Sequence, residues 1–407
     1  MKAILVSVNL NNQSDFNEKN EELISLCEAC DIEVMDTLIQ NLRNPNKKTY
    51  INSGKVDELK IKIDSSEADC TIFNDELSPT QLRNLENALG CEVIDKTYLI
   101  LKIFEKRAVS KEARLQVEIA KLNYLKPRLI GTYSALDKQK GGSKNKGKGE
   151  QAKELDTRNI DYRINSLKRA LSEVEKIRET QRIKRNKSNI KTVALVGYTN
   201  AGKSSIMNSL MINDNKKVYE KDQLFATLTT STRLITLDNK HQFILSDTVG
   251  FVSDLPHELI EAFHSTLEEV LQADLLLHVI DISNPEYKKQ KKVSEDTLKM
   301  LKAEQECIII YNKCDKTELD YPLINNDNIY ISSKDENSIK MLVDLIDKKL
   351  YKTIHIKLLI PYNQGNIVNE LNNRINVLKQ EYVDDGCLIE AEGNEDILNQ
   401  YLKFEVR

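Results

Sequence analysis

The feature that most constrains the fold of this chain is a short glycine-containing stretch between an apolar run and a helical pattern. It reads Gly197-Tyr198-Thr199-Asn200-Ala201-Gly202-Lys203-Ser204. The positions of its glycines, lysine and serine match a phosphate-binding loop. In such a loop the backbone N–H groups surround phosphates, and the dipole of the following helix attracts them. We therefore expect Lys203 to bridge a β- and a γ-phosphate and Ser204 to ligate Mg²⁺.

The apolar runs around this loop predict a sheet. Each run is apolar throughout, which is typical of parallel strands covered by helices on both faces. The runs are Thr192–Val196, Phe243–Leu245, Leu275–Ile280, Cys307–Tyr311 and Ile329–Ile331. They alternate with amphipathic helical patterns, so residues 191–352 are predicted to form an α/β domain with a mostly parallel sheet.

A second motif ends the run Phe243–Leu245. It reads Asp247-Thr248-Val249-Gly250. An aspartate at this place can hold Mg²⁺ through water, and the N–H of Gly250 can sense a γ-phosphate. The motif is weak alone, but it gains weight because it follows a phosphate-binding loop by about 45 residues.

A third motif predicts which base is bound. It follows the run Cys307–Tyr311 and reads Asn312-Lys313-Cys314-Asp315. A carboxylate at Asp315 can accept two hydrogen bonds from N1–H and N2–H₂ of guanine, a donor pair that adenine lacks. Comparable polar sites reject the wrong ligand by as much as ~10⁴-fold. The expected nucleotides are therefore GTP and GDP, with the guanine O6 contacted by the segment Ser332-Ser333-Lys334.

The second Mg²⁺ ligand is expected between the first two motifs. The candidate segment reads Phe225-Ala226-Thr227-Leu228-Thr229. Thr227 is the preferred ligand, and Thr229 and Thr230 are the alternatives. The competing interpretation is that these threonines only form a strand edge.

The residue after the second motif bears on catalysis. Many GTPases have glutamine there to orient the attacking water, whereas this chain has Phe251. Phenylalanine cannot orient or activate water, so hydrolysis is expected to be slow and to depend on a partner. Asn200 is a candidate for placing a K⁺ ion beside the phosphates. The expected catalytic residues are Lys203, Thr227 and Gly250.

Residues 1–100 predict a small N-terminal α/β domain, because strand and helix patterns alternate there. One helix has clear end signals. Ser78 suits its N-cap, Pro79 its first position and Gln81 the partner in a capping box. Gly90 suits the residue that ends it.

Residues 101–190 predict a long helical hairpin. Lys111–Leu129 is one candidate helix, with Leu115, Ile119, Leu122 and Leu129 near one face. In the second, apolar residues recur at spacings of 4, 3, 4 and 3, as in coiled coils, at Ile160, Ile164, Leu167, Leu171 and Val174. A helix of about 30 residues there would span roughly 45 Å.

The tip of the hairpin, residues 131–150, is predicted to be a loop rich in lysine and glycine. Its part Lys138–Gly149 has five lysines and no acidic residue. From Lys102 to Lys191 there are 25 basic and 11 acidic residues, although the whole chain has a net charge of −4. Such asymmetry suggests a polyanionic partner. The tip is either a flexible solvated linker or a basic finger on a stiff arm.

Residues 353–407 predict a small C-terminal α/β domain. The expected elements are a strand at Thr353–Leu358, a helix around Val368–Leu378 and a strand at Cys387–Ala391.

Composition excludes several classes of protein. With 40% hydrophobic and 30% charged residues, the chain is predicted to be globular and soluble. No segment approaches the roughly 18 apolar residues of a membrane span. Seven scattered cysteines argue against a disulfide scaffold, and the N-terminus lacks the features of a secretory signal. A monomer in the cytoplasm is expected.

At this point the motifs resemble those of a known family. The segment Asp247–Phe263 is similar to switch II of HflX-type GTPases, and the octet and Phe225–Leu228 also look like theirs. Three segments outside this domain resemble the HflX N-terminal domain and helical arm: Leu77–Gln81, Leu115–Glu118 and Leu125–Leu129.

The resemblance implies a partner and a role. HflX proteins are ribosome-associated GTPases that bind the large subunit and its RNA, and members split stalled or stressed ribosomes. GTP binding drives association and hydrolysis allows release. Their glycine-rich arm loop reaches toward the peptidyl-transferase region, which favours the basic-finger interpretation here. Association with the ribosome or the membrane periphery is expected within the cytoplasm.

The chain departs from the family at that loop. The family has Gly-Pro-Gly-Glu-Thr-Gln-Leu-Glu, where this chain has Gly147-Lys148-Gly149-Glu150-Gln151-Ala152-Lys153-Glu154. A role on antibiotic-stalled ribosomes would suit such a loop. Two other functions stay open at this stage: a GTPase in ribosome assembly or RNA modification, and a nucleotide-dependent switch that recruits a protein partner.

Overall fold

The computed structural model describes residues 1–11, 15–139, 146–186, 190–211, 231–237, 241–248, 250–251, 269–326, 328–351 and 353–406. The described elements belong to two units. The first contains residues 1–183, and the second contains the strands and helices from Lys191 onward.

The first unit begins with a parallel sheet in the order β2-β1-β3-β4. Its strands are β1 (Lys2–Leu10), β2 (Glu33–Leu42), β3 (Cys70–Phe73) and β4 (Glu92–Asp95). The helices between them are α1 (Phe16–Ala29), α2 (Ser53–Ser66) and α3 (Pro79–Leu89), and α4 (Lys96–Arg107) follows β4. One sheet face packs under α2 and α3 through a buried apolar cluster that includes Ile4, Val6, Leu59 and Leu85.

The end signals of α3 are confirmed. Ser78 Oγ accepts a hydrogen bond from Gln81 N over 3.3 Å, and Gln81 Oε1 accepts one from Ser78 N over 3.0 Å. Pro79 is the first helical residue, and Gly90 ends the helix with a φ of 74°.

Two helices of this domain were not predicted from the sequence. They are α2 and α4. In α4 the buried positions include the consecutive residues Leu99, Ile100 and Leu101, so the helix has no regular polar face. The helical spacing of apolar residues, by which a helix is predicted from sequence, is therefore not visible there. Because α4 runs to Arg107, the predicted domain boundary at residue 100 falls inside a helix.

The predicted hairpin is present as two long helices, α5 (Lys111–Gln139) and α6 (Lys146–Asn186). They pack through Ile119, Ile164 and Leu167, with Leu115, Leu122, Ile160 and Leu171 partly buried around them. Ion pairs flank this seam, including Arg178 with Glu112 at 2.9 Å and Arg163 with Glu118 at 2.7 Å.

Both helices are longer than the sequence predicted, so the predicted loop 131–150 is wrong in extent. α5 continues to Gln139, and α6 begins at Lys146 and has 41 residues. Lysine has a high helix propensity, so a lysine-rich segment can extend a helix that is already started. Only residues 140–145 of the tip lie outside the described residues.

The middle of α5 is fixed to the N-terminal domain by a buried carboxylate. Asp95 is fully buried and accepts hydrogen bonds from Tyr98 N at 2.8 Å, Tyr124 Oη at 2.9 Å and Arg128 Nη2 at 3.0 Å. The Arg128 guanidinium also lies 3.2 Å from the centre of the Tyr124 ring. A buried charge that is paired in this way favours one arrangement of the groups around it.

The second unit contains a seven-stranded sheet in the order β10-β11-β9-β8-β5-β7-β6. Its strands are β5 (Lys191–Gly197), β6 (Ser231–Thr236), β7 (Gln242–Asp247), β8 (Leu275–Asp281), β9 (Glu306–Asn312), β10 (Leu323–Asn325) and β11 (Asn328–Tyr330). The described helices of this domain are α7 (Lys203–Leu210), α8 (Tyr287–Met300) and α9 (Glu336–Leu350).

All five predicted strands are present in this sheet, and their pairing is parallel. The two end strands, β6 and β10, are antiparallel additions that the sequence analysis missed. The core on the α7 and α9 side includes Val193, Leu195, Leu245, Ile308 and Ile310.

The C-terminal part forms an antiparallel sheet in the order β12-β14-β13. Its elements are β12 (Thr353–Ile360), α10 (Gly365–Arg374), β13 (Asn376–Val383), β14 (Gly386–Asn394) and α11 (Glu395–Leu398). The predicted helix Val368–Leu378 is too long at its C-terminal end, because residues 376–378 already belong to β13. The alternation of β12 buries Ile356, Leu358 and Ile360 under α10.

None of the helices in the described part of the chain combines the length and the apolar run that a membrane span needs.

A buried histidine in β8 generates a prediction about stability. His278 is 2% exposed, and its Nε2 has no hydrogen-bond partner among the described residues. Burial, together with the positive charges of Lys291 and Lys203, lowers the pKa of His278 from 6.5 to about 4. The unfolded chain therefore binds a proton at this side chain more readily than the folded chain does.

We expect His278→Leu to make the protein less sensitive to mild acid. Because the folded pKa is lowered, wild-type stability falls as the pH drops from about 6.5 toward about 4. Between pH 7.5 and pH 5 the wild type should lose about 2 kcal/mol more than the variant. Urea unfolding at both pH values measures this difference. His355→Leu, at an exposed position, is the control, and an equal acid sensitivity of wild type and His278→Leu would contradict the prediction.

Candidate functional site

The octet found in the sequence forms the turn between β5 and α7. Gly197 ends the strand with a φ of 146°, and Gly202 precedes the helix with a φ of 95°. A Cβ at Gly197 would lie 2.2 Å from the carbonyl oxygen of Val279, and one at Gly202 would lie 2.2 Å from Asn312 Nδ2. Both positions therefore require glycine. Asn200 also has a left-handed backbone, with a φ of 61°.

Lys203 is the first residue of α7, and its side chain turns back into the loop. It is 6% exposed, and its Nζ donates hydrogen bonds to the carbonyl oxygens of Gly197 at 3.1 Å and Tyr198 at 2.8 Å. Burial lowers the pKa of Lys203 to about 8, although the charge of Asp247 acts in the opposite direction. The loop thus holds a buried ammonium group among its own carbonyls, where an anionic ligand would stabilise the charged form.

The groups predicted to hold Mg²⁺ lie next to each other. Ser204 Oγ donates a hydrogen bond to Oδ2 of the fully buried Asp247 over 2.7 Å. A hydroxyl and a carboxylate are the hard oxygen ligands that Mg²⁺ prefers, so this pair fits the ion. Among the described residues no cluster of three or more His, Cys, Asp or Glu side chains could hold a metal.

Asn312 connects the octet to a second loop. Its Nδ2 donates to the carbonyl oxygen of Ala201 at 3.0 Å, and its Oδ1 accepts from Ser333 N at 3.0 Å. The side chain is fully buried. Ser209 Oγ of α7 also donates to the carbonyl oxygen of Ser333 at 2.6 Å. These bonds hold the octet and the segment Ser332–Lys334 at one place.

The structure places Asp315 beside the segment Ser332–Lys334. Ser332 Oγ donates to Asp315 Oδ1 at 2.8 Å, and Lys334 Nζ lies 3.6 Å from Asp315 Oδ2. Cys314 is buried, and its N–H donates to the carbonyl oxygen of Ile331 at 3.1 Å. The carboxylate of Asp315 is thereby oriented by the neighbouring loop.

Some of the remaining predicted site residues are described by the structure, and others lie outside the described part of the chain. Tyr198 and Thr199 are buried within the octet, and Thr248 Oγ1 donates to the carbonyl oxygen of Leu195 at 2.6 Å. Gly250 and Phe251 are buried. The candidate segment with Thr227, namely Phe225, Ala226, Thr227, Leu228 and Thr229, lies outside the described residues, as do Thr230 and Val249.

One residue beside these motifs was missed in the sequence. Asp281 ends β8 and lies opposite Asn312 in the β8–β9 register. Its Oδ2 is 2.8 Å from Lys313 Nζ. An aspartate at the carboxyl end of an apolar run, in the same sheet as Asp247 and Asn312, is the signal that would have identified it.

Comparison with protein families divides the chain into three matched regions. Residues 17–105 match the family described as GTP-binding GTPase N-terminal, and residues 107–185 match GTP-binding GTPase Middle Region. Residues 192–313 match the family described as 50S ribosome-binding GTPase.

Among solved structures, a GTP-binding protein from the archaeon Sulfolobus solfataricus in complex with GDP has a TM-score of 0.47 and 26% identity. The similarity covers 86% of this chain and 99% of that chain.

Curated relatives match along nearly the whole length. GTPase HflX of Caldanaerobacter subterraneus subsp. tengcongensis is 43% identical over 405 residues, which cover 99% of this chain and 93% of the relative. GTPase HflX of Escherichia coli is 34% identical over 395 residues, which cover 95% and 92%. At these identities and coverages, the chain belongs to the HflX family of GTPases.

Proposed function

We propose that this protein is a GTPase that binds the large ribosomal subunit and dissociates stalled or stressed 70S ribosomes, with GTP hydrolysis permitting release. The observation that carries the proposal is the contact between the octet and the base-recognition loops through Asn312, in a chain of the HflX family. One sheet edge thus presents a phosphate-binding loop beside a carboxylate suited to guanine. P-loop GTPases use Mg²⁺ together with the nucleotide.

The proposed roles follow from this geometry. The backbone of residues 197–204 surrounds the phosphates, and the Lys203 ammonium moves from the loop carbonyls to the phosphate oxygens. Ser204 and Thr227 would hold Mg²⁺ directly and Asp247 would do so through water, and the ion would neutralise charge on the phosphates. Asp315 accepts the N1–H and N2–H₂ of guanine.

Hydrolysis is proposed to be slow without the ribosome. Phe251 stands where a water-orienting glutamine would help, so the attacking water needs another group to position it. A ribosomal contact is the proposed source of that positioning. Asn200, with its left-handed backbone in the octet, is proposed to help a K⁺ ion sit beside the phosphates.

The basic arm is the proposed contact with the large subunit and its RNA. Its excess of Lys and Arg is separated from the net negative charge of the rest of the chain. Lysine and arginine contacts with phosphates release counterions, which drives association with RNA. Because Asp95 fixes Arg128 and Tyr124 in the middle of α5, the part of α5 beyond them leaves the N-terminal domain in a defined direction. The tip around residues 138–149 is the proposed group that enters the intersubunit side of the ribosome.

The lowered pKa of Lys203 predicts proton uptake on nucleotide binding. With a pKa of about 8 in the empty site, about half of this side chain is uncharged at pH 8. Triphosphate raises that pKa, so binding takes up a proton and affinity falls as the pH rises through about 8. Calorimetry with a non-hydrolysable GTP analogue and Mg²⁺, in buffers of different ionisation enthalpy, measures the uptake. At pH 6.5 the uptake should vanish, and zero uptake at pH 8 would contradict this view of Lys203.

Asp315→Asn should change the preferred base. The asparagine amide donates where the carboxylate accepted, so it suits xanthine, which has a carbonyl in place of the N2 amino group. We expect GTP affinity to fall by at least about 100-fold and xanthosine triphosphate to bind more tightly than GTP. Titration with both nucleotides measures this. Lys203→Ala is the control because it should lose both ligands, and full GTP affinity in Asp315→Asn would rule out base recognition by this residue.

Deleting residues 138–149 should separate nucleotide binding from the action on ribosomes. The deletion removes five lysines and leaves the octet, Asp247 and the motif Asn312–Asp315 intact in the sequence. Sucrose gradients of 70S ribosomes with GTP, a non-hydrolysable analogue or GDP should show dissociation by the wild type and little by the deletion variant. GTP affinity should stay within about twofold, since the deletion removes none of the residues proposed to bind the nucleotide. Dissociation by the variant at the wild-type level would exclude the tip from this role.

A further inference from the structure

Lys313 has an unusual backbone conformation in the middle of the guanine motif. Its φ is 64° and its ψ is 31°, in the left-handed region that long side chains rarely occupy. Conformations of this kind are strained and persist only where neighbouring groups hold them. Lys313 separates two residues with distinct tasks: Asn312 holds the octet, and Asp315 faces the neighbouring loop through Ser332.

The side chain of Lys313 is paired with the carboxylate of Asp281. The Lys313 Nζ lies 2.8 Å from Asp281 Oδ2, and the two side chains are 17% and 16% exposed. A partly buried pair of this kind is less screened by water and salt than a surface pair. The pair therefore fixes the lysine side chain.

Asp281 is itself held in one orientation. Its Oδ1 accepts hydrogen bonds from Ser283 N at 3.0 Å and Ser283 Oγ at 2.5 Å. Its backbone lies opposite Asn312 in the β8–β9 register, and Ile282 N donates to the carbonyl oxygen of Asn312 at 3.1 Å. With Oδ1 engaged by Ser283, Oδ2 is the atom that faces the lysine.

From these contacts we infer that Asp281 is a positioning residue for guanine selection. It holds Lys313 in the left-handed conformation, and that conformation sets the direction in which Asp315 leaves the strand end. Without the ion pair, Lys313 relaxes toward an ordinary backbone conformation, and Asp315 no longer meets N1–H and N2–H₂ of the base together. The inference rests on the proposed function, because it requires Asp315 to read guanine.

The inference makes a base-specific prediction for Asp281→Asn. Inosine triphosphate lacks the N2 amino group and so uses only one of the two hydrogen bonds to Asp315. Misalignment of Asp315 should therefore weaken GTP about tenfold but inosine triphosphate only about two- to threefold. A general loss of structure would weaken both nucleotides equally. The measurement is calorimetric titration of the full chain with each triphosphate and Mg²⁺.

Three further variants test whether Asp281 acts on base selection through Lys313. Asp274→Asn is the matched control, since Asp274 pairs with Lys191 at the other end of β8 and should leave both affinities unchanged. Asp281→Glu keeps the charge and should restore part of the GTP preference. Asp281→Asn in a Lys313→Met background should add little, because residues that act through one contact are not additive.

The outcomes separate this inference from the proposed function. If the wild type does not prefer GTP to ATP, the proposed function fails and the inference fails with it. If the wild type prefers GTP but Asp281→Asn keeps the wild-type ratio of GTP to inosine triphosphate affinity, only the inference is overturned. The same holds if Asp281→Asn acts equally in the wild-type and Lys313→Met backgrounds. Urea unfolding of each variant confirms that a folded chain is being titrated.

Discussion

The side-chain amide of Asn312 is the interaction on which the candidate site depends. It is fully buried, donates to the octet at Ala201 and accepts from the loop at Ser333. A buried amide with both ends satisfied is costly to disturb, because either end left alone loses its hydrogen bond without gaining water. Its closeness to Gly202 also explains why the octet needs glycine there, since a Cβ would lie 2.2 Å from the amide nitrogen. The proposed phosphate-binding loop and the proposed base-recognition loop are therefore held together by one side chain.

The parallel sheet makes this arrangement possible. Strands β5, β7, β8 and β9 are neighbours and run in the same direction, so their carboxyl ends share an edge. Gly197, Asp247, Asp281 and Asn312 are the last residues of these four strands. Each strand is apolar along its length and polar at its end, which follows from burial on both faces and exposure at the edge. The residues of the candidate site are thus concentrated at the edge of the sheet, where the buried core ends.

The sequence identified most of the residues at this edge, and it identified the rest of the chain only in part. The octet, Asp247 and Asn312–Asp315 could be identified because their residue types and spacings are typical of particular loops at strand ends. Asp281 ends the apolar run of β8, but its ion pair with Lys313 depends on the pairing of β8 with β9, which no local sequence pattern reports. α4 was missed because its consecutive buried residues hide the helical period. The arm was found from its apolar spacing, but its helices extend further toward the tip than glycine content suggested.

The arm and the nucleotide site use charge in opposite ways. At the site, Lys203 and Lys313 are buried or nearly so, and each is held by oxygen atoms of its own unit. On the arm, basic residues are spread over a long hairpin, and Arg128 in the middle of α5 pairs with the fully buried Asp95. Replacing a buried pair by apolar residues often costs little stability. We therefore attribute this pair to the direction that it gives the arm rather than to the stability that it adds. In a long arm, a small change of angle at this contact displaces the tip by a large distance. A contact that sets the angle therefore matters more here than one that only adds stability.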